Sequence, residues 1–321
     1  MFEQDQIQPL PQTKLRRLNI LPNNPEQDQE DKPVKQGRFP SWLHRRLPKG
    51  SQLQQTSQIL SQHRLHTVCE EAKCPNLLEC WSHKTATFLV MGKECTRNCG
   101  FCDIDFTKKP KALEADEPLR VAESVRELGL RHVVITMVAR DDLSDGGSHH
   151  LVRVMEEVRH CNPGVTIEVL TSDFAGQPQA WQTILDAAPN IFNHNIETVR
   201  ELTPRVRHKA TYDRTLELLH YVASRRPHLG LKVKSGLMVG LGETEEQVYQ
   251  TLKDLKEAGC DIVTIGQYLQ SNRHKLIVKS FVPPEQFKKY EIFGYQLGLS
   301  YLYCGPFVRS SYNAHLVLEQ M

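Results

Sequence analysis

Three cysteines stand within eight residues at Cys95-Thr96-Arg97-Asn98-Cys99-Gly100-Phe101-Cys102, directly after an apolar run ending at Met91-Gly92. No other stretch constrains the fold and chemistry of this chain so tightly. At C-x3-C-x2-C spacing, three thiolates can hold three corners of a cubane iron–sulfur cluster while its fourth iron has no protein ligand. That iron is open to chemistry. The competing readings are a structural zinc site and a disulfide scaffold. Zinc needs a fourth local Cys or His, and Asp103-Ile104-Asp105-Phe106 supplies neither at finger spacing. Gly100 removes a side chain where the loop must fold tightly around a cluster.

The loop resembles the C-x3-C-x-aromatic-C signature of the radical S-adenosylmethionine (SAM) enzymes, with Phe101 as the aromatic. The resemblance implies that SAM occupies the open iron and is split into methionine and a 5′-deoxyadenosyl radical. Such a radical takes hydrogen from an unactivated carbon, a task beyond any side chain.

A chain of 321 residues can bury one large core, and a single α/β barrel of this size is ordinary. A formal charge of +2 with no long Lys/Arg run gives no argument for nucleic acid. No stretch reaches the roughly 18 consecutive apolar residues expected of a membrane span. The start, Met1-Phe2-Glu3-Gln4-Asp5, lacks the basic and apolar parts of a secretory signal, and Glu26, Asp28, Glu30 and Asp31 are unlike a transit peptide. These features point to a reducing, cytoplasmic setting. There the nine cysteines serve as metal ligands or core residues rather than disulfides.

Residues 1–37 are rich in Gln, Asn, Pro, Asp and Glu with little apolar periodicity, and read as a flexible extension. Phe39-Pro40-Ser41-Trp42-Leu43, followed by Arg45-Arg46, reads as an apolar anchor packed across a barrel end. A second triplet follows at C-x4-C-x5-C spacing: Cys69, Cys74 and Cys80, with Pro75 breaking any helix between them. Its wording, Cys74-Pro75-Asn76-Leu77-Leu78-Glu79-Cys80-Trp81, resembles the auxiliary-cluster motif of the lipoyl synthases, radical SAM enzymes that insert sulfur into octanoyl chains.

From residue 85, β-branched runs alternate with amphipathic segments. The expected strands are 85–90, 132–136, 165–170, 191–196, 231–235 and 261–265. Val121, Val125, Leu128 and Leu130 share a helical face between the first two, and Leu216, Leu218, Leu219 and Val222 share one between the fourth and fifth. Alternation of this kind implies parallel strands with right-handed crossovers, hence an α/β barrel or doubly wound sheet. The radical SAM resemblance selects a partial (β/α)6 barrel, with an N-terminal cluster-binding extension and a C-terminal segment closing the site. The expected divisions are 1–37, 38–84, 85–282 and 283–321.

Ligands gather at the carboxyl ends of such strands. Arg140-Asp141-Asp142-Leu143-Ser144-Asp145-Gly146-Gly147 reads either as a solvated turn with a helix cap or, from its family wording, as a contact with SAM or the cluster. Asn195 and Glu197 alternate by two and should face the same side as contacts for SAM or substrate. His194 would point the other way, as a structural histidine. Gly236 and Gly240 sit in a segment matching the superfamily's G-x-x-x-G-x-x-E pattern, expected along the SAM adenine, with Met238 in the core and Thr244 opening a helix. Gln267 or Tyr268 reaches either the cavity or a turn. Cys161 and Cys260 read as structural.

Ser311, in Arg309-Ser310-Ser311-Tyr312, is a poor iron ligand on chemical grounds. The lipoyl synthase resemblance alone implies that it ligates the fourth iron of the auxiliary cluster. Cys304 departs from the family wording and either competes as a ligand or packs.

The resemblance covers residues 40 to 315. It implies two [4Fe-4S] clusters, one held by Cys95, Cys99 and Cys102 and one by Cys69, Cys74, Cys80 and Ser311, with SAM as cosubstrate. The implied substrate is an octanoyl-lysine on a lipoyl carrier domain, of an E2 subunit or glycine cleavage H protein, thiolated at carbons 6 and 8 at the auxiliary cluster's expense. A ferredoxin or flavodoxin reductant and an iron–sulfur carrier for rebuilding are implied as well. The alternatives are another radical SAM sulfur-inserting or methylthiolating enzyme, and a two-cluster electron carrier, which would yield no 5′-deoxyadenosine.

Overall fold

The computed structural model describes residues 39–44, 52–226, 230–312 and 314. The expected extension over 1–37 and the Arg45-Arg46 pair lie outside them. Residues 39–44 belong to a separate unit and contain a single turn of 3-10 helix, Ser41–Leu43.

In the larger unit, α1 (Gln52–Gln62) leads to β1 (His66–Thr67), α2 (Val68–Glu71), α3 (Leu77–Ser82) and β2 (Thr87–Val90). The first triplet begins at the last residue of a short strand, β3 (Glu94–Cys95), and is followed by another, β4 (Asp105–Phe106). Alternating units follow: α4 (Glu117–Leu128), β5 (His132–Met137), α5 (Ser148–Cys161), β6 (Thr166–Leu170), α6 (Pro178–Asp186), β7 (Ile191–Asn193), α7 (Thr203–Val206), α8 (Tyr212–Arg225), β8 (Lys232–Val239), α9 (Glu245–Glu257) and β9 (Ile262–Gln267). α10 (Pro284–Gln296) and β10 (Tyr301–Gly305) complete the order.

Eight strands form one sheet in the order β1-β2-β5-β6-β7-β8-β9-β10, parallel throughout except for the β1–β2 pair. The six expected strands are all present. Two more were not foreseen as sheet members: β1, only two residues long, and β10, which runs parallel to β9 from Tyr301 opposite Ile262 to Gly305 opposite Gly266. Helices on the outer face bury Val121, Val125, Leu218, Leu219 and Val222 completely, and all of β2 is buried, as parallel strands covered on both faces require. Leu216 is only partly buried. Local signals set the helix ends. Gly129 terminates α4 in the left-handed region, φ 67°, and Thr244 and Gln247 form a capping box on α9.

One boundary shift matters for the site. The expected fifth strand stops at residue 235, whereas β8 continues to Val239. Gly236 and Met238 are therefore strand residues facing neighbours on β9, not turn residues.

Candidate functional site

A cavity of about 480 Å³ opens at the carboxyl ends of the strands. Both triplets line it: Cys95, Cys99 and Cys102 from the loop after β2, and Cys69, Cys74 and Cys80 from the segment around α2 and α3. Ser311 lines it too, from the segment after β10. Residues more than 230 positions apart are brought together by Asn76, which donates to the Phe307 carbonyl at 2.7 Å, and by Tyr312, whose hydroxyl donates to Glu79 Oε1 at 2.8 Å.

The loop of the first triplet is closed at its base by the β3–β4 pairing, where Cys95 itself stands opposite Phe106. Its apex is pinned by the Gly100 N–H, which donates to Val206 O at 2.8 Å, while Gly100 O accepts from Leu276 N at 3.0 Å. A Cβ on Gly100 would lie 3.0 Å from Leu276 and 3.3 Å from Arg205 O, so the tight fold read from the sequence is a close approach of three segments. Phe101 lines the cavity and packs with Val206, Leu241 and Tyr268.

Burial pushes Cys102 up to about 12, with the neighbouring Cys99, Cys95 and Glu197 adding repulsion, and pushes Cys99 to about 11, with Glu197 and Cys95 adding to it. Burial and Cys74 bring Cys69 to about 12. Thiols that are this costly to ionise alone suit a cationic centre that accepts their charge. Among the described residues, no three His, Cys, Asp or Glu side chains converge as they would around one metal ion.

Among the described residues, Thr171 Oγ1, Asn195 Oδ1 and Arg207 Nε are buried and have no hydrogen-bond partner, and all three residues line the cavity. Asn195 Nδ2 donates to Glu197 Oε1 at 3.2 Å and to Ser310 Oγ at 3.4 Å. The two residues do share a side, but not by strand alternation. β7 ends at Asn193, and Glu197 sits at φ 68° with its N–H donated to Gly236 O. Burial raises the Glu197 carboxyl above its ordinary range, against the pull of Arg207 and Asn195. Gly236 leaves room beside them, since a Cβ there would lie 2.5 Å from Thr264 Oγ1 and 3.0 Å from Asn195 Oδ1.

Two buried guanidinium groups went unnoticed in the sequence. Arg97, inside the first triplet, donates to both oxygens of Asp141 and lies 2.6 Å from Asp173 Oδ1. Burial opposes ionisation of Asp173, but Arg97, His194 and Arg214 together outweigh it and hold the carboxyl below its usual range. Arg207 donates to Asn195 O at 2.6 Å and to Thr215 Oγ1. Isolated arginines carry no motif, so only the fold reveals them.

The structure moves several sequence readings. In the 140–147 segment, Asp141 clamps Arg97, Asp142 pairs with Arg140, and Asp145 accepts from the N–H groups of Gly147 and His149. The turn-and-cap reading describes Asp142 and Asp145, whereas Asp141 touches the first cluster loop directly, through Arg97 and through its own N–H, which donates to Thr96 Oγ1 at 3.0 Å. Gly240 is not part of the cavity wall. It sits at φ 98° against the Gln267 side chain, and its N–H donates to Glu243 Oε1 at 2.5 Å. Met238, read as core, lines the cavity, as does Tyr268, whose hydroxyl donates to Leu276 O at 2.8 Å. Gln267 instead fixes the chain at Ser280 and Val282. Cys304 packs against the core cluster and feels Glu291 and Lys288 of α10, on the side of β10 away from the cavity.

A profile of the radical SAM superfamily matches residues 89–255, and one of the N-terminal domain of lipoyl synthase matches residues 8–74. The lipoyl synthase of Protochlamydia amoebophila (strain UWE25) is 71% identical over 305 residues, covering 95% of this chain and 94% of its own. That of Chlamydia abortus (strain DSM 27085 / S26/3) is 52% identical over 304 residues, covering 95% and 97%. Among solved structures, Streptococcus suis SuiB bound to S-adenosylmethionine superposes at a TM-score of 0.53 with 12% identity, over 71% of this chain and 53% of SuiB. The FeFe-hydrogenase maturase HydG of Carboxydothermus hydrogenoformans gives 0.51 with 14% identity, over 83% and 77%. The two superpositions concern the fold alone.

Proposed function

The chain belongs to the lipoyl synthase family of radical SAM enzymes, and on that footing we propose which of its residues carry each part of the family's reaction. It is a sulfurtransferase with two [4Fe-4S] clusters and SAM as cosubstrate, acting on octanoylated lipoyl carrier proteins to thiolate carbons 6 and 8. Cys95, Cys99 and Cys102 hold the cluster that binds SAM, and Cys69, Cys74, Cys80 and Ser311 hold the other. The observation that carries this assignment is the presence of all seven side chains in the wall of one cavity. Bound there, the clusters and SAM supply a 5′-deoxyadenosyl radical and sulfur.

The chain's own residues do the rest. Asn195, Glu197 and Arg207 orient the polar parts of SAM, with Gly236 leaving space beside them. Phe101, in the cluster loop, packs on Val206 and Tyr268. Leu89, Val138, Leu170, Leu237 and Leu269 give the cavity apolar wall suited to an alkyl chain and to exclusion of water from a radical. Asn76 and Glu79 hold Phe307–Tyr312 so that Ser311 stays over the cavity.

The natural carrier domain is one from an E2 subunit or a glycine cleavage H protein. A ferredoxin or flavodoxin supplies electrons, since the radical step needs a one-electron donor, and an iron–sulfur carrier restores consumed sulfur. The setting is the cytoplasm; among the described residues no helix is long and apolar enough to cross a membrane. We divide the chain into an extension at 1–37, an auxiliary-cluster segment at 38–84, the barrel at 85–282 and a closing segment at 283–321.

Mass spectrometry of an octanoyl-lysine peptide after incubation with reconstituted enzyme, SAM and dithionite tests the assignment. Wild type should add two sulfurs, with a net loss of two hydrogens in the closed dithiolane and of none in the reduced dithiol. Cys80→Ala should still release 5′-deoxyadenosine but form no dithiolane, and Cys99→Ala should do neither. Turnover by Cys99→Ala, or loss of SAM cleavage in a folded, cluster-bearing Cys80→Ala, would count against it.

A further inference from the structure

The carboxylate of Asp103 is a meeting point of three segments. Asp103 follows Cys102 in the first cluster loop, and its Oδ2 pairs with Nζ of Lys73, the residue before Cys74. Its Oδ1 accepts from Ser271 Oγ at 3.1 Å and from Asn272 Nδ2, both in the segment after β9. The Asp103 side chain is only 6% exposed. Lys73 adopts φ 50°, in the left-handed region that a residue with a Cβ enters at a cost, and the turn is closed by Cys74 N donating to Cys69 O at 2.9 Å. The buried carboxylate of the residue after Cys102 thus touches the residue before Cys74. The lysine is 59% exposed, so the pair adds little to global stability. Its effect is geometric.

We propose that the Lys73–Asp103 clasp fixes the separation of the two cluster loops across the cavity, which makes both residues positioning residues for sulfur insertion rather than for SAM cleavage. The inference rests on the assignment of the two triplets to two clusters. With the clasp closed, the α2 turn bearing Cys69 and Cys74 is held to the barrel loop bearing Cys102, and Ser271 and Asn272 keep the carboxylate aimed at Lys73. With it open, the strained turn at Lys73 relaxes and carries its cysteines with it, while the barrel loop stays anchored through Gly100.

The test uses full-length enzyme reconstituted with both clusters and compares wild type with Lys73→Met, Lys73→Arg and Asp103→Asn. Asparagine keeps an acceptor for Ser271 and Asn272 but loses the charge. Iron content, 5′-deoxyadenosine yield, sulfur inserted per deoxyadenosine and the inter-cluster magnetic coupling by pulsed EPR are measured. Lys73→Met and Asp103→Asn should retain both clusters and SAM cleavage, broaden the inter-cluster distance distribution, and insert about tenfold less sulfur per deoxyadenosine, the scale on which small misplacements act. Lys73→Arg should restore both readouts. Wild-type coupling and stoichiometry in Lys73→Met would overturn the clasp, as would SAM cleavage and sulfur insertion falling in proportion. If Asp103→Asn fails to fold, Lys73→Met decides alone. Wild-type enzyme that holds a single cluster overturns the triplet assignment itself, and the clasp with it.

Discussion

Asn76 and Phe307, 231 positions apart in the chain, are joined by a 2.7 Å hydrogen bond from the Asn76 side-chain amide to the Phe307 carbonyl. The bond ties the segment at Phe307 to the second cysteine triplet, and the Tyr312 hydroxyl on Glu79 makes a second tie further along the same segment. Ser311 stands between the two ties, in the cavity wall.

Replacing both ties, as Asn76→Leu with Tyr312→Phe, should cost about 1 kcal/mol per hydrogen bond and loosen the closing segment. The expected result is incomplete loading of the second cluster with SAM cleavage preserved. Iron quantification and Mössbauer spectra, set beside 5′-deoxyadenosine yield, check it; full loading of both clusters would show that Ser311 holds its place without them.

A second relation lies under the first triplet. Glu117 accepts the Met91 N–H on both oxygens, at 3.1 and 3.0 Å, and faces His150 Nε2 at 2.6 Å. Met91 sits at φ 71°, and a side chain on Gly147 would overlap its thioether. Glu117→Ala should destabilise by about 1–3 kcal/mol, because a buried backbone N–H and an imidazole lose their partner. Arg64→Ala, at an exposed pair with Asp116, should shift stability by about 0.5 kcal/mol or less. Denaturant melts of the two variants check the contrast, and equal effects would refute it.

Much of this architecture was legible in the chain. β-branched runs announced six strands, and cysteine spacing announced both triplets, because periodicity and ligand spacing are local. β10 was not legible as a sheet member, since Tyr301–Gly305 has an ordinary strand composition and its place beside β9 is a matter of topology. The same holds for Arg97, Arg207 and Asp173, single charges whose burial arises only when β6, β7 and the cluster loop converge. Ser311 was reached through family wording alone; no chemical preference of serine would have nominated it.

Gly236 and Gly240 looked equivalent in sequence and are not. Gly236→Ala puts a methyl group against Asn195 Oδ1 and Thr264 Oγ1, in the cavity wall, without a positive φ. It should weaken SAM binding by about tenfold, in line with overpacking costs of about 1–3 kcal/mol. Gly240→Ala meets a φ of 98° and the Gln267 side chain, away from the wall. It should lower the melting temperature more than it changes SAM affinity. Isothermal titration with SAM beside thermal melts of both variants checks the crossover.

His194 gives the fold a defined acid sensitivity. It is buried in the cavity wall, its Nδ1–H donates to Thr171 O at 2.8 Å, and its Nε2 faces the Thr215 hydroxyl at 3.3 Å. Burial, reinforced by the Arg207 charge and only partly countered by Asp173, brings it down to about 4. The folded protein therefore keeps His194 neutral in a range where the unfolded chain, with an ordinary value near 6.5, takes up a proton. Proton uptake by the unfolded state alone means that this contribution is fully present above about pH 6.5 and is lost as pH falls toward 4, where the folded form begins to protonate too. Each tenfold loss of proton affinity on folding is worth roughly 1.4 kcal/mol, so the stability lost through this one group is on the order of 3 kcal/mol. His194→Gln should be less stable than wild type at pH 7.5, because no imidazole bridges Thr171 and Thr215, yet its stability should fall less steeply between pH 6.5 and 4.5, by up to one proton's worth of slope. Urea melts of both proteins at half-unit pH intervals give the two slopes. Identical slopes would mean that His194 takes up its proton equally in the folded and unfolded chains, and the neutral buried histidine would have to be abandoned.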